Sequence, residues 1–289
     1  MPNAVPFPHA TVPRPVHDGG HGTALVLLHG MGATWEVWKP VLPALEARHR
    51  VIAVTLPGHH GGVEFAGQGD ATVGAIADQL VATLRGMGIE QAHVAGNSLG
   101  GWLSLELARR GFARSVVAFS PAGAWRSAED YRAIATPFRI VYALIGLILI
   151  LFGWLARFAW ARRVLTRQTM VHGERMAPQE FRAALRAMAN TRVLPALLRT
   201  MGRDGPIAPV SASAAPITIA WGEQDRVIPY ARYGAPFRDR IEGLTETVVP
   251  DAGHVPMWDN PDEVAAQILR VTATVDARQQ ETAAVGATA

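Results

Sequence analysis

Apolar residues follow two different periods along this chain, and the periods alternate. Short unbroken apolar runs lie near residues 24–28, 51–54, 92–95, 115–119, 216–221 and 245–249. Runs this short, bounded by Gly, Pro or charged residues, read as strands buried on both faces. Between them the spacing changes to three and four. Val73, Ile76, Ala77, Leu80, Val81 and Leu84 keep that spacing, as do Val264, Ile268 and Leu269. Both stretches predict amphipathic helices. The alternation predicts an α/β fold: a mostly parallel sheet with right-handed crossovers and helices on both faces.

Three stretches depart from this rhythm. The first twenty residues carry Pro2, Pro6, Pro8, Pro13 and Pro15 and no apolar run. They predict an extended arm over residues 1–22 in place of a cleaved leader. Residues 121–209 show no strand-like run and predict a helical cap inserted into a core formed by 23–120 and 210–275. Residues 276–289, rich in Ala and Thr, predict a flexible tail.

The chemistry sits at the ends of the predicted strands. Gly96-Asn97-Ser98-Leu99-Gly100 follows the run at 92–95 and opens a helical pattern. A G-x-S-x-G sequence in that context is a tight strand-to-helix turn that holds the serine out at its tip. The N-terminus of the helix then stabilises negative charge developing beside Ser98. His29-Gly30-Met31-Gly32 follows the first run, Gly222-Glu223-Gln224-Asp225 the fifth, and Gly253-His254 the last. Open α/β sheets build their sites at this edge.

The chain order Ser98, Asp225, His254 resembles that of the serine-nucleophile, esterase- and lipase-like members of the α/β-hydrolase superfamily. The resemblance covers about residues 20–120 and 210–275, and includes Leu56-Pro57-Gly58-His59 and Asn260-Pro261. It implies Ser98 as nucleophile, His254 as base and Asp225 as the acid that orients it. The N–H groups of Met31 and Leu99 form the oxyanion hole, and Gly30, Gly32, Gly96 and Gly100 let the backbone turn. Asp204 and Asp251 are weaker rivals for the acid, and Ser104 and Ser120 read as structural. Trp125 and Trp258 are expected in the substrate pocket. No cofactor is implied. No metal is expected either, because His59 and His60 are adjacent and lack the i,i+4 spacing of ligand pairs. Epoxide hydrolases and haloalkane dehalogenases of this superfamily require an Asp where Ser98 stands. Carbon–carbon bond hydrolases of the meta-cleavage-product type share the triad and remain an alternative, as does a non-catalytic binding protein on the same fold.

Composition adds two constraints. A chain that is 49% hydrophobic and 18% charged forms a buried core and is not disordered. With no cysteine, it has neither disulfides nor thiol chemistry. A cytoplasmic location is expected.

The cap is unusual. Residues 140–156 carry no charge, and as a helix they would extend about 25 Å. A single membrane crossing there would separate Ser98 from Asp225 and His254, so the segment is either buried in the cap or inserted into one leaflet. Residues 121–200 hold 12 Arg against 4 acidic residues, a net +8 in a chain of net +3. Apolar length beside clustered Arg favours peripheral contact with an anionic membrane surface. Nucleic acid is excluded, because these Arg are not interleaved with stacking aromatics on a sheet. The substrate expected is a carboxylic ester with an apolar acyl or alcohol part.

Overall fold

Each predicted run becomes a strand in the computed structural model, which describes residues 15–67, 69–211 and 215–287. The strands are β1 (Val16–Gly20), β2 (Ala24–Leu28), β3 (Arg50–Val54), β4 (Ala92–Asn97), β5 (Ala113–Phe119), β6 (Ile217–Gly222) and β7 (Thr245–Val249). They form one sheet in the order β1-β3-β2-β4-β5-β6-β7. Every pairing is parallel except that of β1 with β3. The helices are α1 (Leu42–Glu46), α2 (Val73–Gly86), α3 (Leu99–Arg109), α4 (Ala128–Phe152), α5 (Ala159–Thr166), α6 (Pro178–Ala189), α7 (Leu194–Asp204), α8 (Tyr230–Tyr233), α9 (Pro256–Asp259) and α10 (Pro261–Ala287).

The continuous apolar character of the central strands follows from burial on both faces. Along β2, Val26 and Leu28 join a core shared with α2 and α3. Leu25 and Leu27 join a second core shared with α1 and α10. A strand alternates its side chains, so a strand covered twice needs an apolar residue at every position. Each such residue, fully buried, contributes roughly 1.5–3 kcal/mol.

Two boundaries differ from the sequence expectation. Residues 16–20, assigned above to an extended arm, form β1, with Val16 opposite Val54 and Gly20 opposite Arg50. An edge strand is held by one neighbour's backbone and needs no apolar run, so Val16-His17-Asp18-Gly19-Gly20 carries no hydropathy signal. Arg50 donates to both Asp18 oxygens, at 3.0 and 2.7 Å, across that edge. The Pro-rich part of the arm, residues 1–14, lies outside the described residues. At the other end, residues 276–287 continue α10 and are not a separate tail. Asp276 holds them by accepting from His93 Nε2 at 3.1 Å and from Arg114 at 3.0 Å.

Between β5 and β6 lie α4 to α7. Ser127 caps α4 by accepting from the Asp130 N–H at 3.1 Å. Tyr131, Ala135, Ile145 and Leu149 of α4 are buried. They recur at helical spacing and make one seam. The rest of the helix is not enclosed: 17% of its most apolar 18-residue window is buried. Burial inside the cap, one of the two arrangements the sequence allowed, does not occur.

Candidate active site

β4 is buried at all six positions and ends at Asn97. Ser98 follows with φ 56° and ψ −114° and caps α3. A non-glycine residue in that region is strained by roughly 1–3 kcal/mol, and such residues gather at functional sites. Two glycines allow the turn. A Cβ on Gly96 would lie 2.1 Å from the Gly100 carbonyl oxygen, and one on Gly100 would lie 2.1 Å from the Leu28 carbonyl oxygen. Ser104, one turn into α3, donates its hydroxyl to the Gly100 carbonyl at 2.7 Å.

Asp225 and His254, 29 residues apart, meet through a 2.8 Å bond between His254 Nδ1 and Asp225 Oδ2. The other carboxylate oxygen accepts from the Val227 and Ile228 N–H groups at 2.9 and 3.0 Å. Burial pushes the Asp225 carboxyl upward. The His254 charge and hydrogen bond, with the Ile228 amide and the Ser120 hydroxyl, outweigh that and hold it below its ordinary value. Asn97, the residue before Ser98, donates its side-chain amide to the His254 carbonyl at 2.8 Å. The histidine loop is thereby tied to the elbow. The rival acids stand elsewhere: Asp204 pairs with Arg203, and Asp251 accepts from His172 Nε2 at 2.7 Å.

Met31, Ser98 and Leu99 line one pocket. Leu99 is the first residue of α3, so its N–H has no carbonyl one turn back. Gly32, with φ 76°, turns the loop after β2 under Met188 of α6, and a Cβ on Gly30 would lie 3.3 Å from the Ser98 Cβ. His29 pins this loop. Its Nε2 accepts from the Leu56 N–H at 2.9 Å, so its Nδ1 carries the proton shared with the Gly30 carbonyl at 2.7 Å.

Burial holds both His29 and its neighbour His59 neutral, His59 down to about 4 from an ordinary 6.5. The unfolded chain then binds more protons than the folded one below about pH 6.5, so stability falls as pH drops from there toward about 4. The slope approaches about 1.4 kcal/mol per pH unit for each histidine. Denaturant midpoints measured across that window should fall, and a flat profile would contradict this account.

Trp125 lines this pocket. Trp258 does not. It sits on α9, against Met170, Met176 and Phe181 in a separate small cluster. The turn of α9 sends Met257 into the core beneath the sheet and leaves Trp258 facing the cap. Tyr131, Ile134 and Phe138 of α4, and Leu198 and Met201 of α7, supply the wall that sequence reasoning missed. Their three- and four-residue spacing on α4 was the available signal.

Asp259 was also missed. It is buried and accepts from the N–H groups of Val171 at 3.0 Å, His172 at 2.8 Å and Gly253 at 2.8 Å. One carboxyl group thus joins the turn after α5 to the residue before His254. Among the described residues, no group of three or more His, Asp or Glu gathers where a metal could be held.

The model of the alpha/beta hydrolase family matches residues 25–267. The chain belongs to this family. Epoxide hydrolase EphH of Mycobacterium tuberculosis is 30% identical over 197 residues, covering 67% of this chain and 91% of that one. Pimeloyl-[acyl-carrier protein] methyl ester esterase of Aeromonas hydrophila is 29% identical over 253 residues, covering 84% and 93%. Among solved structures, a thermophilic esterase from Thermogutta terrifontis superposes with a TM-score of 0.70 at 22% identity, covering 90% of this chain and 93% of that one. This alpha/beta hydrolase is therefore a hydrolase by family, on a fold shared with esterases.

Proposed function

We propose that this alpha/beta hydrolase cleaves carboxylic esters with an apolar acyl or alcohol part through an acyl-enzyme on Ser98. One observation carries the reading: a strained serine opens onto a pocket with no charged side chain in its lining. His254 takes the Ser98 proton as the oxygen attacks the acyl carbon, and Asp225 stabilises the imidazolium. The Met31 and Leu99 N–H groups hold the oxyanion. His254 returns the proton to the leaving alcohol, and water then releases the acid by the same route.

The rival chemistries fit less well. Serine attack on an epoxide forms an ether, which this machinery has no means to hydrolyse; a carboxylate nucleophile would form a cleavable ester. An anionic dienone of the meta-cleavage type needs a cation beside its carboxylate, and the pocket lining offers none. A binding protein has no need of a strained serine.

A graded series of p-nitrophenyl esters tests the reading. kcat/KM should rise about fourfold per added methylene until the pocket fills. Turnover of a dienone or an epoxide without ester turnover would overturn it.

Ser120 offers a finer test. It has φ 41°, its oxygen accepts from the Gly222 N–H at 3.3 Å, and its hydroxyl bonds Asp225. Ser120→Ala should lower kcat by about tenfold with KM unchanged, the loss of one hydrogen bond to a charged group. An unchanged kcat would show that Asp225 is held without it.

A further inference from the structure

The second half of α4 has two apolar faces, and the protein covers one. Ile145 and Leu149 are buried in the seam, while Ile140, Leu144, Leu147 and Ile150 are 55%, 47%, 53% and 64% exposed. The chain then turns and presents Trp154 at 55% and Trp160 at 61% exposure. Exposed apolar area this continuous marks an interaction surface.

Charge identifies the partner. Residues 131–173 contain six Arg and no Asp or Glu. The Arg157 guanidinium lies 5.0 Å from the Trp154 ring centroid and 4.6 Å from that of Phe158. Arg163, on α5, has a side chain 65% exposed. An apolar surface ringed by aromatics and arginines matches the layering of a lipid leaflet: acyl chains, then the interface, then anionic headgroups. A second copy of this chain would bring the same arginines against themselves.

The depth of insertion follows from how the segment is anchored. At its start, Asp130 accepts from Arg232 at 2.7 Å. At its end, Asp259 accepts from Val171 and His172, and the Val255 N–H donates to the Thr169 carbonyl at 3.0 Å. Both ends are fastened to the same catalytic core. Among the described residues α4 is the one helix long and apolar enough to cross a membrane, yet it has to leave and return on one side.

We propose that the cap docks on an anionic lipid surface, with the exposed face of α4 and the Trp154–Trp160 turn inserted into one leaflet. Phe138, in the pocket wall, and Ile150, on the exposed face, belong to the same helix about 18 Å apart. Docking therefore brings the pocket within one helix length of the lipid. The proposal stands apart from the ester-hydrolase reading, because it concerns binding and not turnover.

The test is co-sedimentation of the full chain with phosphatidylcholine vesicles, with and without phosphatidylglycerol. The protein should pellet with the anionic vesicles and be released by salt. Leu147→Glu with Ile150→Glu should weaken binding by at least about tenfold. Arg157→Gln and Arg163→Gln should each weaken it by about fivefold. All four positions face solvent, so the unfolding midpoints should not move. If the glutamates disturb folding, quenching of wild-type tryptophan fluorescence by brominated lipid supplies the same answer. Wild-type protein left in the supernatant, or glutamate variants that bind as well as wild type, would overturn the proposal. So would a stable dimer that the glutamates convert to monomer without any vesicle binding.

Discussion

Ser98→Ala is expected to reduce ester hydrolysis by about 10³- to 10⁶-fold while the protein stays folded. The size of the loss follows from the division of labour at the elbow. Backbone bonds hold the turn: the Ser98 N–H donates to the Phe119 carbonyl at 3.0 Å, and the Ser98 carbonyl accepts from Trp102 and Ala122 at 3.1 and 3.0 Å. The hydroxyl is therefore free to serve chemistry, and alanine removes it without removing those bonds. The Asp225–His254 pair and the oxyanion donors would survive and leave residual catalysis over water. Rates measured on the best p-nitrophenyl ester, with circular dichroism of both proteins, check this. A loss smaller than about tenfold would mean that the nucleophile is another group.

Gly100→Ala is expected to lower stability by more than about 4 kcal/mol, or to leave the protein insoluble. The added methyl would lie 2.1 Å from the Leu28 carbonyl oxygen, 2.5 Å from its carbon and 2.7 Å from the His29 carbonyl oxygen. All three are backbone atoms of the central sheet and its loop, with no rotamer to give way. At about 2–4 °C per kcal/mol for a chain of this size, the melting point should fall by roughly 10 °C or more. Gly86→Ala, at the end of α2, is the matched control: a Cβ there meets nothing within 4 Å. Its melting point should hold or rise slightly, since alanine is the better helix former. Equal melting points for the two variants would show that α3 can shift away from β2, contrary to the packing.

The parallel core, the tight turn at Ser98 and the glycine-led loops that bring Asp225 and His254 together were legible because they rest on local signals. A strand buried on both faces writes itself as an apolar run, and the turn after it must carry small residues. β1 was not legible because an edge strand is specified by its partner, and nothing in Val16–Gly20 announces β3. The helical continuation at 276–287 depends on His93 and Arg114 reaching Asp276 from about 160 to 180 residues away. Trp258 was misplaced because being near His254 in sequence says nothing about which way a one-turn helix faces. Ser120 and Asp259 look like turn residues in isolation. Their roles appear only when β5, β6 and the cap are assembled around them.

Caps of hydrolases invite exchange between relatives, as a route to new substrate preferences. In this protein such a graft would reach further than the pocket. The amides of Val171 and His172 share the Asp259 carboxyl with the amide of Gly253. A transplanted segment that did not return two N–H groups to that point would leave a buried carboxyl short of donors, against the amide of the residue before His254. This contact between cap and core is thus a cut site to avoid: a working chimera would have to keep residues 169–172 native and change the cap on either side of them.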